Sequence, residues 1–406
     1  MSDFFEKTGL PRQLTWGFLG VLIFMMGDGI EQTWLSRYIT EAGFNSAVLF
    51  SVYGITVAIS SWLSGVIAET FGVKKTMLAG LVLYLLGVAG FAGIGITRMN
   101  YPVLLLTYAV KGLGYPLFAY TFMVWITYRV EKKVLSSAQG WFWFVFTGGL
   151  NVLGAYYGVF AVKHIGVVPT LWSAVVFALA GAAFALFVNK ADSSNLFADP
   201  SEEGCRGSRI RGLIKGLGIM KREPKVLMGG IVRVINTTSQ FAFVVFMPLY
   251  MASFGMSDGQ WASIWGTVFL MNIIFNLVFG IVGDRIGWNK TVTWFGGVGC
   301  AVTVLLFYYS PQILNNYWFI LLCGALWCIM LAGYVPLSAL VPSLVKTDKG
   351  AAVSVLNLGA GLAAFVGPAL VRLLEKPVGY SGIAWTLAAL YIVSAVMTHY
   401  IRPSED

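Results

Sequence analysis

The segment GVIAETFGVKK, residues 65–75, returns as GIVGDRIGWNK at residues 280–290. Gly65, Glu69, Gly72 and Lys75 of the first copy match Gly280, Asp284, Gly287 and Lys290 of the second at one constant spacing. Each copy joins two apolar runs long enough to cross a bilayer as helices, which takes roughly 20 residues. The same short loop in the same setting twice over points to duplication of a helical unit.

Further runs of spanning length lie on either side. The first copy is surrounded by runs at 14–39, 47–68, 76–96, 102–127, 137–161 and 169–188. The second is surrounded by runs at 226–252, 260–282, 291–310, 316–340, 350–374 and 381–401. The expected fold is an all-α membrane protein of 12 transmembrane helices in two six-helix bundles, 1–188 and 226–406. A polar linker, 189–225, joins them, and its segment RIRGLIKGLGIM has the pattern of an amphipathic surface helix. Composition agrees. The chain is 58% hydrophobic and 11% charged, against about 25% charged in soluble domains. Its mean hydropathy is +0.77.

Charge supplies the orientation. Of the 27 Lys and Arg, most fall in one alternating set of connections. Arg37, Arg98, Lys163, Arg372 and Lys376 fall on the other side, and Lys111 and Arg233 lie deep inside spans. Cytoplasmic loops carry the basic excess, so both termini are expected in the cytoplasm. The net charge of +9 is therefore a topology signal and not a sign of nucleic-acid binding. The opening MSDFFEKTGLPRQ is mixed in charge and leads into a full-length span, so no cleaved signal peptide is expected. The four cysteines lack metal-ligand spacing with His. No HExxH, His cluster or Gly-x-x-x-x-Gly-Lys loop is present, which argues against an enzyme, a metal site, a cofactor or ATP as energy source.

The first span, LTWGFLGVLIFMMGDGIEQTWLSRYI, holds Asp28 and Glu31, three residues apart and so on one helix face. Ionised carboxylates cost at least a few kcal/mol at the bilayer centre, so both acids should face a cavity, a cation or both. Asp28 lies ~21 Å along its span and Lys111 ~14 Å into the fourth from the other side, which brings them to similar depth.

The paired loops resemble those of the major facilitator superfamily, and the resemblance covers nearly the whole chain. It implies secondary transport by alternating access, with Glu69 and Asp284 as latch acids that cap a neighbouring helix. Lys74, Lys75, Arg285 and Lys290 would bridge the inner ends of each half's helices. The first copy carries Glu69 where Asp is usual. The strings FMMGDGIEQTWLSRYI, YAVKGLGYPLFAY, GWFWFVFTGGL, VRVINTTSQFAF and AAVSVLNLGAGLAAFVGPAL look more narrowly like the polyol permease group, which includes ribitol, arabinitol and 2-oxoglutarate permeases. Tyr108 stands where the wider family often has Arg. The resemblance places spans one and four against a central cavity, where Lys111 would meet Asp28 or Glu31 as a fixed pair or as a switch.

Two acids one turn apart suit proton coupling. An apolar cavity penalises the charged form, so one acid can stay ionised against Lys111 while the other loads and releases a proton. The carrier is expected to be Glu31 or Asp28, with Asp28 slightly favoured because it lies deeper. Arg233 is either a snorkelling cation or, with Asn236 on the same face, a substrate or gate cation. Asn236 and Gln240, Asn272 and Asn276, and Asn357 add amides on several spans, either as packing glue or as ligand donors and acceptors. By the resemblance Tyr115 and Trp143 lie at cavity depth and could stack on a sugar-like ligand. With two acids balancing two cations, a neutral sugar alcohol is the expected substrate, and a 2-oxoglutarate-like dicarboxylate comes second. The expected partners are a small solute, a proton and the lipid bilayer, with a monomer in a bacterial plasma membrane.

Overall fold

The computed structural model describes residues 9–32, 34–189 and 218–401. Among them it is all helical, with no strand, and ten helices are long and apolar enough to cross a membrane. The linker helix expected in RIRGLIKGLGIM lies outside the described residues up to 217. The first set of helices comprises α1 (Thr15–Gly29), α2 (Leu35–Glu41), α3 (Ser46–Phe71) and α4 (Val73–Gly90). It continues with α5 (Tyr101–Arg129), α6 (Leu135–Thr147), α7 (Gly154–Ile165) and α8 (Val167–Ala182). The second set comprises α9 (Pro224–Ala252), α10 (Asp258–Ile286), α11 (Trp288–Thr291), α12 (Cys300–Ile313), α13 (Tyr317–Leu331), α14 (Leu337–Leu340) and α15 (Lys349–Tyr400).

Two runs read as single spans are broken. The run 14–39 is not one helix: α1 stops at Gly29 and the chain turns before α2. The run 316–340 is broken between Ala332 and Leu337 by a 3-10 turn ahead of Pro336. The last two runs are two helices, as expected, which meet across a kink at Gly379 (φ 66°, ψ −175°) and are together labelled α15. Local chemistry accounts for the first break. Glycine costs about 1 kcal/mol per helical position relative to Ala, and Gly27 and Gly29 flank Asp28. The Trp34 indole then donates to the Ile30 carbonyl (2.7 Å), which satisfies a group the helix leaves open.

Large apolar side chains such as Phe187, Leu373, Phe365 and Leu106 point outward, as a lipid-facing surface requires. Each set has its own apolar core, and the cores touch at one end. Val335, Ala339 and Val353 of the second set pack into the core of the first, and Val66 packs into the core of the second.

That shared end carries both repeated loops. Gly72 and Gly287 close α3 and α10 at φ 90° and 108°, a backbone conformation that only glycine adopts readily. Two seams join the sets there. In one, α3 lies on the start of α15, and the Gly65 N–H donates to Ser354 Oγ (2.9 Å). In the other, α6 lies on α10, with Gly140 against the Asn276 carbonyl and Gly280 against Ser136. A Cβ at Gly65 would sit 2.0 Å from the Gly350 carbonyl oxygen, whereas one at Gly54, on the same helix, would meet nothing within 4 Å. Gly65→Ala is therefore expected to push this seam apart. Spin labels across it should report a longer distance than in the native chain, and Gly54→Ala should leave the distance unchanged.

Candidate functional site

Asp28 occupies the last turn of α1 and Glu31 the turn beyond it. Lys111 lies ten residues into α5, ~15 Å along the helix. The three side chains meet. Lys111 Nζ lies 2.5 Å from Glu31 Oε1 and 3.3 Å from Asp28 Oδ1. Lys111 is 1% exposed, Asp28 3% and Glu31 4%, so both ion pairs are out of bulk water. Burial of this kind holds only where charges are paired and hydrogen-bonded. The Tyr53 hydroxyl donates to both Asp28 oxygens (2.9 and 3.0 Å). The rings of Tyr84, Tyr108 and Tyr53 surround Nζ at 5.4, 5.6 and 5.8 Å, within cation–π range. The Tyr84 hydroxyl is buried and has no hydrogen-bond partner.

Rings lead from this cluster toward the closed end. Tyr53 stacks toward Tyr115 (6.4 Å), Tyr115 meets Tyr120 edge-on (6.1 Å), and Tyr120 lies 6.4 Å from Trp143. Arg233 of α9 lies over Trp143, 4.3 Å from the ring centroid. The Trp143 indole N–H donates to Ser338 Oγ on α14 (3.1 Å). Among the described residues no carboxylate lies within salt-bridge distance of Arg233, and no acceptor takes a hydrogen bond from its guanidinium.

The amides divide into two kinds. Asn272 donates to the Cys328 carbonyl (2.9 Å) and Asn276 to Asn272 (3.4 Å), so these two serve helix packing. Asn236 and Asn357 are buried, yet Asn236 Oδ1 and Asn357 Nδ2 have no partner. Gln240 is half-buried. Tyr115 and Trp143, at 8% and 9% exposure, belong to the ring path.

Both loop acids bind helix starts, and each helix belongs to the opposite set. Asp284 accepts from Ser136 N (3.1 Å), Ser137 N (2.8 Å) and Ser137 Oγ (2.5 Å) at the start of α6, and also from the Trp288 indole (2.8 Å). Glu69 accepts from Gly350 N and from the Tyr128 hydroxyl, both at 2.5 Å. A carboxylate at a helix N-terminus satisfies open N–H groups and complements the helix dipole. Of the four basic residues expected to bridge helix ends, Lys74 contacts a neighbouring helix. Lys74 lies over the Trp125 ring (5.6 Å). Lys75, Arg285 and Lys290 are exposed, where hydration competes with pairing, and none has a carboxylate partner among the described residues.

A family model described as Major Facilitator Superfamily matches residues 14–327 and 229–406. The chain belongs to the major facilitator superfamily. Within it, the "Alpha-ketoglutarate permease" of Bacillus subtilis is 48% identical over 405 residues, covering 99% of this chain and 92% of that one. The "D-arabinitol transporter" of Klebsiella pneumoniae is 37% identical, covering 98% of this chain and 94% of that one. The solved E. coli fucose:proton symporter superposes with a TM-score of 0.75 at 14% identity, covering 97% of this chain and 99% of that one, which supports the shared fold. As a member of the superfamily the chain is a multi-pass plasma-membrane transporter of small molecules and not an enzyme.

Tyr53, Tyr84 and Ser338 were not among the sequence candidates. Tyrosine favours membrane interfaces, so a tyrosine at mid-span, as Tyr84 is, was the signal available. Ser338 carried none, because its position depends on a helix break.

Proposed function

We propose that the chain is a proton-coupled symporter of a small carboxylate resembling 2-oxoglutarate, working by alternating access. Twelve crossings, in bundles 1–188 and 226–406 with linker 189–225 and both termini cytoplasmic, fit the basic-residue asymmetry. On that reading the shared end is cytoplasmic, and the structure represents a state closed to the inside, with Glu69 and Asp284 as its latches.

The observation behind the substrate is the uneven distribution of charge. In sequence, two acids balance two cations and favour a neutral solute. In three dimensions both acids lie on Lys111, and Arg233 is left with five N–H donors and no protein anion. Arginine presents its donors as a fork that suits a carboxylate. The identity to the Bacillus subtilis permease supports the same order. A pentitol remains the second reading, because the unpartnered Asn236 and Asn357 atoms and the ring path suit hydroxyl groups and C–H faces. Uptake into proteoliposomes with an alkaline lumen separates them. Accumulation of labelled 2-oxoglutarate, abolished by a protonophore, is expected; accumulation of ribitol or D-arabinitol alone would overturn the carboxylate reading.

Coupling is assigned to the Asp28–Glu31–Lys111 cluster, with Glu31 as carrier. If Lys111 leaves, Asp28 keeps the Tyr53 hydroxyl on both oxygens, whereas Glu31 sits on the break in the helix and keeps only Tyr108 beside it. One proton per solute supports about tenfold accumulation for each pH unit of gradient, since tenfold corresponds to ~1.4 kcal/mol. Glu31→Gln is expected to lose that accumulation and keep solute exchange, read as counterflow in the same vesicles. The same loss in Asp28→Asn with full coupling in Glu31→Gln would transfer the role to Asp28.

A further inference from the structure

We propose that Trp143 is a positioning residue that couples solute binding to the opening of the cytoplasmic end, with Ser338 as its catch and Arg233 as its trigger. Three residues from three helices meet at one height. Trp143 lies eight residues into α6, Arg233 nine residues into α9, and Ser338 on α14 near the end of its broken span, so each is ~9–14 Å from the closed end. Trp143 is the only member from the first set. Its indole N–H is bound by Ser338 and its ring by Arg233, both of the second set. These contacts therefore cross between the two sets, above the seams that the loop acids close.

The surroundings link the contact to the seam beneath it. The segment from Ala332 to Val341 is short, turned and buried, and the Pro336 ring packs against Gly283 and next to Ser136 at the α6–α10 seam. Ser338 is tied to the same rigid stretch. Arg233 stacks on Trp143 while it lacks an anion. A carboxylate that takes the guanidinium draws it off the ring and removes one of the two contacts holding Trp143. A ligand shifts such an equilibrium only by binding the two states differently, and Arg233 supplies that difference. This step rests on the carboxylate reading of the substrate; the Trp143–Ser338 catch does not.

The test separates the two. Spin labels at Lys132→Cys and Ile286→Cys, on opposite sides of the α6–α10 seam, report the closed and open populations of the full chain in nanodiscs. Without solute, Ser338→Ala and Trp143→Phe are each expected to raise the open population about tenfold, equivalent to ~1.4 kcal/mol. Trp143→Phe keeps an aromatic ring and serves as the conservative variant, with melting curves confirming that each variant is folded. Adding 2-oxoglutarate to the native chain should move it the same way, and Arg233→Gln should abolish that response. Unchanged distances in both folded catch variants would overturn the proposal. Opening in those variants with no response to 2-oxoglutarate, but a response to ribitol, would keep the catch and overturn the carboxylate trigger.

Discussion

Lys111→Met is expected to abolish proton-driven uptake and to destabilise the folded protein. The substitution leaves Asp28 and Glu31, 3% and 4% exposed, as neighbouring acids without a cation. Removing one partner of a buried ion pair costs roughly 3–5 kcal/mol, because the remaining charge is neither solvated nor neutralised. Two remaining acids add their mutual repulsion, so they must take up protons or the cluster must open to water. Either outcome removes the exchange of Lys111 for a proton that the proposed cycle uses. The loss of stability should be partly reversed in Lys111→Met/Glu31→Gln, which restores one acid with its Tyr53 partner and removes the other. Transport should stay absent in the double variant. Melting temperature and gradient-driven uptake, measured on the same preparations, separate the two effects. A Lys111→Met protein that is as stable as the native one and still accumulates solute would exclude the cluster from coupling.

Arg233→Gln is expected to remove carboxylate transport while leaving the fold intact. Arg233 has no ion pair among the described residues to lose. Its main protein contact is the Trp143 ring, and a cation–π contact contributes about 0.5–2 kcal/mol. The solute loses far more. A charged hydrogen bond is worth ~1.5–3 kcal/mol, so losing a forked pair to a carboxylate should weaken apparent affinity by roughly 100-fold. Arg233→Lys keeps the charge but not the fork and should fall between. Initial uptake rates over a range of 2-oxoglutarate concentrations check this. A native half-saturation in Arg233→Gln would place the carboxylate elsewhere.

Much of the molecule could be read from the chain alone, for identifiable reasons. Apolar runs marked the helices because a bilayer demands them at full length. The repeated loops announced the duplication because Gly72 and Gly287 meet a backbone conformation that other residues resist. Asp28, Glu31 and Lys111 stood out because charge is rare inside a span, and matching depths brought them together. What stayed hidden depends on partners far away in sequence. Only the folded chain shows that both acids choose Lys111 and leave Arg233 alone. The amides of Asn272 and Asn357 look alike in sequence, yet one is taken by the Cys328 carbonyl and the other has an unpartnered nitrogen. The break after Gly29 was missed because the run stays apolar through it. Glu31 therefore sits on a turn rather than on the helix face that the three-residue spacing implied.

In the proposed cycle a buried acid pair exchanges Lys111 for a proton as solute crosses the membrane. Proteoliposomes loaded with a pH-sensitive dye, with no imposed gradient, test this most directly. Adding 2-oxoglutarate outside is expected to acidify the lumen in vesicles carrying the native chain and to leave it unchanged with Glu31→Gln. Solute entry without acidification in the native protein, or acidification undiminished when Asp28 and Glu31 are both neutralised, would contradict it.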